Sequence, residues 1–202
     1  MNQEMAIPVP ARARGKIAPI RFAHVVYCTS RFAEMVNWYK TVLEAEASLS
    51  NEMLAFLTYD EEHHRVAIAN MPGLEPAQTR YSGVEHVAYT FGSLDDLFAT
   101  YARLKGENIE PYWCINHGPT LSMYYRDPDG NQVELQIDIF DSTDATNEWF
   151  RNSDFSTNPI GVKFVPEDLI GRYRAGEPAA DLLQRPHIDP AEVLAQFPEG
   201  GL

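Results

Sequence analysis

A repeated segment constrains this chain more than any other feature. Residues 22–28 read FAHVVYC and residues 84–90 read VEHVAYT, two β-rich runs with a histidine at the same place, His24 in the first and His86 in the second. The correspondence continues downstream at the same offset. RFAEMVNWYKTVL follows the first run and LDDLFATYARLKG the second, so Phe32, Met35, Val36, Tyr39 and Val42 match Leu94, Leu97, Phe98, Tyr101 and Leu104. This is the i, i+3, i+4, i+7 stripe of a helix with one buried face. Thr29-Ser30 before the first helix and Ser93 with Asp96 at the second supply capping signals. Three strand-like runs follow each helix, at about 45–49, 53–59 and 64–70 and then at about 108–115, 119–126 and 131–138, parted by turn formers such as Asp127-Pro128-Asp129-Gly130. Self-similarity at a fixed spacing marks a structural unit used twice.

The fold class is therefore α+β, with two tandem βαβββ modules. An N-terminal extension (1–19) precedes the first module (20–70), a turn-rich linker (71–83) leads to the second (84–138), and a C-terminal tail (139–202) follows. Two sheets, each backed by one helix, can pair into a half-barrel cleft lined by their free faces. The tail is irregular to helical, with helices expected at 166–175 and near 190–197. Its Trp149, Phe150, Phe155 and Phe164 suit packing on the core or on a partner subunit.

Composition adds exclusions. The 202 residues carry a net charge of −13, which repels phosphate backbones and anionic lipid, so a nucleic-acid partner is not expected. Cys28 and Cys114 show no CxxC spacing and read as isolated thiols. The N-terminus has no continuous apolar core of a signal peptide, and no stretch approaches the roughly 20 apolar residues that span a bilayer. A cytoplasmic protein without a membrane partner is the expectation.

Five of the six histidines, all but His187, are candidates for the chemistry. One histidine on an apolar strand is ordinarily a core residue with satisfied hydrogen bonds. Two in equivalent slots of a repeat point instead to one cleft and to metal ligation. In the last strand, NQVELQID, Val133, Leu135 and Ile137 alternate with Gln132, Glu134 and Gln136, so the apolar set packs under the helix and Glu134 faces the cleft. A solvated sheet face would explain Glu134 equally well by itself. Beside His24 and His86 it completes a two-histidine, one-carboxylate set of the kind that binds Fe(II) and leaves coordination positions open. The equivalent strand of the first copy, HHRVAIAN, holds no carboxylate, so a four-ligand site with one Glu per copy is not available.

The repeat, these three residues and the segment YYRDPDGNQVELQ resemble the vicinal-oxygen-chelate superfamily, and within it the type I extradiol ring-cleaving dioxygenases. The resemblance spans residues 20–138 and leaves the tail out. Better-known extradiol enzymes carry four such modules, whereas this chain carries two, like the catalytic half alone. The resemblance implies Fe(II), or alternatively Mn(II), on His24, His86 and Glu134, with O₂ as co-substrate and a small aromatic diol as substrate. It implies a catalytic histidine in an H-x-x-A context, matched by His64; strict alternation from Ala67 would put His63 on that face instead. It implies a substrate-binding Tyr124, supported independently because Thr120, Ser122 and Tyr124 form the polar set of their strand. It also implies a ring-side histidine, matched by His117, in a loop shorter here than in well-known members. Tyr112, Trp113 and Cys114 are candidates for ring lining or packing. His187 reads as a surface residue, and Asp127 and Asp129 as turn residues. A homodimer or higher oligomer is expected. The alternatives are another enzyme of the superfamily (a glyoxalase-like isomerase, an epimerase or a thiol transferase) and a non-catalytic, ligand-sequestering protein.

Overall fold

The computed structural model describes residues 18–75 and 82–198. The repeat folds twice into the same unit. The first comprises β1 (Val25–Thr29), α1 (Phe32–Leu43), β2 (Glu46–Ser50), β3 (Leu54–Thr58) and β4 (Val66–Asn70). The second comprises β5 (His86–Thr90), α2 (Leu94–Gly106), β6 (Trp113–Asn116), β7 (Thr120–Arg126) and β8 (Gln132–Asp138). The tail adds α3 (Thr143–Asn152), β9 (Val162–Lys163), α4 (Pro166–Arg174), α5 (Ala179–Leu183) and a 3₁₀ turn at Pro190–Gln196. The helices expected at 166–175 and 190–197 are present, whereas α3, β9 and α5 were not read from the sequence. Part of the linker and the N-terminal extension through residue 17 lie outside the described residues.

In each module the first strand pairs parallel with the fourth, giving the order β1-β4-β3-β2 in one sheet and β5-β8-β7-β6-β9 in the other. Each sheet has one face under its helix. Among the described residues no strand of one sheet pairs with a strand of the other, so there is no closed barrel. One core runs through both modules and into the tail: Met35, Tyr39 and Ile68 from the first, Leu104, Met123 and Leu135 from the second, Leu169 and Leu182 from the tail. Each large apolar side chain removed from water in this way contributes about 1.5–3 kcal/mol. The module junction also holds a polar contact, Tyr39 donating to Asp127 Oδ2 at 3.1 Å. Asp127 Oδ1 accepts the backbone N–H groups of Asp129 at 3.0 Å and Asn131 at 2.8 Å, so this carboxylate closes the turn, as expected of it.

Three local expectations differ from the structure. His24, expected within the first strand, stands one residue before β1. The run expected from 108 enters its strand only at Trp113, after Asn108 has taken a left-handed φ of 60° and Pro111 has interrupted backbone donation. Thr29 and Ser30 do not cap α1: Arg31 occupies the N-cap without a side-chain bond, and Thr29 Oγ1 instead accepts the Arg31 N–H at 2.8 Å in a tight turn. Ser93 does cap α2, accepting the Asp96 N–H at 3.1 Å. Among the described residues no helix is long and apolar enough to cross a membrane.

Candidate metal centre and active site

The second sheet gathers most of the polar candidates. Ala88 of β5 lies opposite Glu134 of the parallel strand β8, so His86 and Glu134 share a face, with His86 Nε2 3.0 Å from Glu134 Oε2. Glu134 is buried, at 4% exposure. Burial pushes its carboxyl upward, but the hydrogen bonds from His86 and the Ser122 hydroxyl and the nearby imidazole charge together hold it below the ordinary value. The reciprocal effect raises His86 to about 9, through the Glu134 hydrogen bond first, opposed by burial and assisted by Glu85. Tyr124 of β7 pairs directly with Glu134, and its ring meets that of His86 edge-on at 5.3 Å. His117 follows β6; its Nε2 lies 3.0 Å from the Tyr124 hydroxyl and its Nδ1 contacts the Ile160 carbonyl. A carbonyl only accepts, so Nδ1 carries the proton, and Nε2 of the neutral ring accepts from Tyr124.

The first sheet supplies a second group. His64 is buried, stacked on Phe56 at 4.2 Å between centroids and tilted against His24 at 4.3 Å. Its pKa is lowered by burial first, and then by the His24 and His63 rings. His63 points outward, with 70% of its side chain exposed. Strand alternation does not extend to His63 and His64, because β4 begins only at Val66.

Two of the three expected metal donors, His86 and Glu134, are therefore in contact, while His24 lies with His64 on the other sheet. Among the described residues no group of three or more His, Cys, Asp or Glu side chains is close enough to hold an ion. The pair itself fits one. With metal–donor bonds of about 2.1 Å, adjacent donors on one ion stand about 3 Å apart, and the His86–Glu134 separation is 3.0 Å. One imidazole and one buried carboxylate, with a further imidazole, His24, beside the other sheet, are donor types that suit a borderline divalent metal.

Parity along β6 separates Trp113 from Cys114. Trp113 packs with Tyr124 and Ile160 on the site face, and Tyr112, which precedes the strand, packs against the same cluster. Cys114 belongs to the core under the helix, where burial pushes its thiol up to about 12. His187 is exposed and meets Asp154 at 3.0 Å. Sequence reasoning gave Trp149 only as a packing aromatic of the tail, and missed Ser122's contact with Glu134, Phe56 under His64 and the tail residues Asp154 and Arg185, which carry no repeat partner or motif. Trp149, Asp154 and Arg185, with Gly118, Phe140 and His187, line a cleft of about 560 Å³.

Known proteins place the chain. Residues 21–135 match the model of the Glyoxalase/Bleomycin resistance protein/Dioxygenase superfamily. Two proteins of Rhodococcus globerulus are similar along most of the chain. Biphenyl-2,3-diol 1,2-dioxygenase 2 is 47% identical, over 78% of this chain and 84% of its own. Biphenyl-2,3-diol 1,2-dioxygenase 3 is 42% identical, over 82% and 88%. A glyoxylase/bleomycin resistance protein/dioxygenase domain from Frankia sp. EAN1pec shares the fold with a TM-score of 0.51 at 14% identity, covering 60% of this chain and 99% of that one. Duplicated βαβββ modules, a family match that takes in His24, His86 and Glu134, and relatives matched over most of their length agree: the chain belongs to the Glyoxalase/Bleomycin resistance protein/Dioxygenase superfamily.

Proposed function

We propose that this chain is an extradiol ring-cleaving dioxygenase acting on a catechol-type aromatic diol, with a biphenyl-2,3-diol as the first substrate to try. The observation that carries this reading is the contact of His86 with the buried Glu134 beside Tyr124 and His117, in a chain 47% identical to a biphenyl-2,3-diol 1,2-dioxygenase. His24, His86 and Glu134 would hold the metal, Fe(II) in preference to Mn(II). A metal there supplies Lewis-acid activation of adjacent diol oxygens and one-electron chemistry toward O₂.

The chain's own residues do the rest. Tyr124 presents a phenol hydroxyl at the carboxylate face, where it can hydrogen-bond a diol oxygen. His117 Nε2 accepts from that hydroxyl and so fixes its direction. Trp113, Tyr112 and Ile160 exclude water and offer aromatic and aliphatic surface to a ring. His64, held flat against Phe56, can take a proton from the diol or return it to the opening product at an imidazole nitrogen.

The test is anaerobic loading with Fe(II), then addition of 2,3-dihydroxybiphenyl and simpler catechols with O₂. Oxygen consumption stoichiometric with diol loss and a yellow ring-fission product is expected. No oxygen uptake across the panel would reject the reading.

A further inference from the structure

We propose that Arg185 is a positioning residue for His117, so that the C-terminal tail sets the geometry of the active site; the inference rests on the reading of His117 and Tyr124 as site residues. Arg185 is an unusual residue to find inside a tail. Only 4% of its side chain is exposed, and its charge is met by Asp154, which it contacts through Nη2. Its Nη1 donates twice, to the His117 carbonyl at 3.1 Å and to the Asn158 carbonyl at 3.0 Å. Those two acceptors belong to the two loops that fix the His117 ring. One is the backbone of His117 itself. The other begins the turn 158–161, which carries the Ile160 carbonyl that receives His117 Nδ1–H.

Both loops are pressed together around the guanidinium. Gly161, at φ +118°, lies so close that a β-carbon there would stand 2.3 Å from Asn116 O and 2.8 Å from His117 Cα. Asn158 closes the turn with bonds to Gly161 N at 2.8 Å and Gly161 O at 3.1 Å. The Trp149 ring lies over Gly118 and also faces the Arg185 guanidinium at 4.9 Å. Asn116 Nδ2 donates to the Leu183 carbonyl at 2.9 Å, two residues before Arg185. The planar fork of arginine spans two carbonyls and a carboxylate at once, which an ammonium cannot reproduce. The consequence is chemical. With Ile160 O held in place, His117 keeps its proton on Nδ1 and turns Nε2 to the Tyr124 hydroxyl.

A double-mutant cycle with an independent spectroscopic arm tests this. In the iron-loaded enzyme, Arg185→Ala should lower kcat/KM by about 10–100-fold, mostly in kcat, as a misdirected site group does. Arg185→Lys should fall between. In a His117→Ala background, Arg185→Ala should cost less than about twofold more, because the residue it positions is gone. Low-millimolar guanidinium should restore activity to Arg185→Ala but not to the double variant. In the iron-free full chain, ¹⁵N NMR of the His117 ring should show the Nδ1–H tautomer in wild type, and a mixture in Arg185→Ala and, to a lesser degree, Arg185→Lys. Losses that multiply across the cycle, or an unchanged tautomer in the variants, would overturn the proposal. The NMR arm decides it even if no catechol is turned over, so failure of the dioxygenase reading is distinguishable.

Discussion

Glu134 shows how much one position can disclose. Strand alternation put it on the cleft face, and it lies 4% exposed against His86, an arrangement too costly to bury without a cationic or metal partner. Replacing it by Gln keeps the shape and removes the charge. The variant should fold with a near-native melting temperature and lose at least about a hundredfold in kcat/KM, read from oxygen uptake. Two glycines give a second prediction at this scale. A β-carbon at Gly118 meets the Trp149 ring, which belongs to a helix without buried residues and can move, whereas at Gly161 it meets backbone. Both glycines sit at positive φ, +104° and +118°, so each Ala variant carries about 1–3 kcal/mol of backbone strain. Gly161→Ala should destabilise more than Gly118→Ala because its β-carbon also meets backbone that cannot give way, measured by urea unfolding. Other positions were not legible one by one. His63 and His64 both precede β4, outside the strand whose parity would have separated them, and only packing on Phe56 shows which one turns inward.

Elements were legible where a period runs long enough to be read. The stripes of α1 and α2 and the alternation along β7 and β8 gave their buried faces correctly, with Leu121, Met123 and Tyr125 under the helix and Thr120, Ser122 and Tyr124 opposite. The tail was legible only where Pro166 and Pro190 mark helix starts. Strand β9 has two residues, and α3 packs through scattered aromatics, so neither presents a period. The join of α4 to α2 makes its own prediction. Lys105 and the Tyr101 hydroxyl both contact Glu167 and hold its carboxyl down to about 2. Because the folded-state value lies below the unfolded one, the stabilisation is full above the ordinary carboxylate range. It is lost as pH falls from about 4.5 toward 2. The difference in melting temperature between wild type and Glu167→Gln should therefore be present at pH 6–7 and shrink through that window. It should also shrink in high salt, since the pair is half exposed.

At the scale of the whole molecule, the repeat predicts two units but the core is one. Met35 and Ile68 share a continuous cluster with Leu104, Leu135 and the tail's Leu169, so neither module has a core of its own to fall back on. Thermal unfolding should be a single cooperative transition, coincident by far-ultraviolet and near-ultraviolet circular dichroism. Two separated transitions would show that the modules melt independently. The same division into two sheets shapes the site: His86, Glu134, Tyr124 and His117 stand on one, and His24 and His64 on the other. The sequence could show that His24 and His86 are equivalent, because equivalence is a property of spacing. It could not show how far apart the two sheets hold them, because that depends on packing between modules and on the tail. The central claim is that one metal draws ligands from both sheets. Anaerobic titration with Fe(II), read as bound metal per chain after gel filtration, tests it most directly. Wild type is predicted to bind one iron per chain, and His24→Ala to lose it although the His86–Glu134 pair is intact; stoichiometric iron retained in His24→Ala would contradict the account.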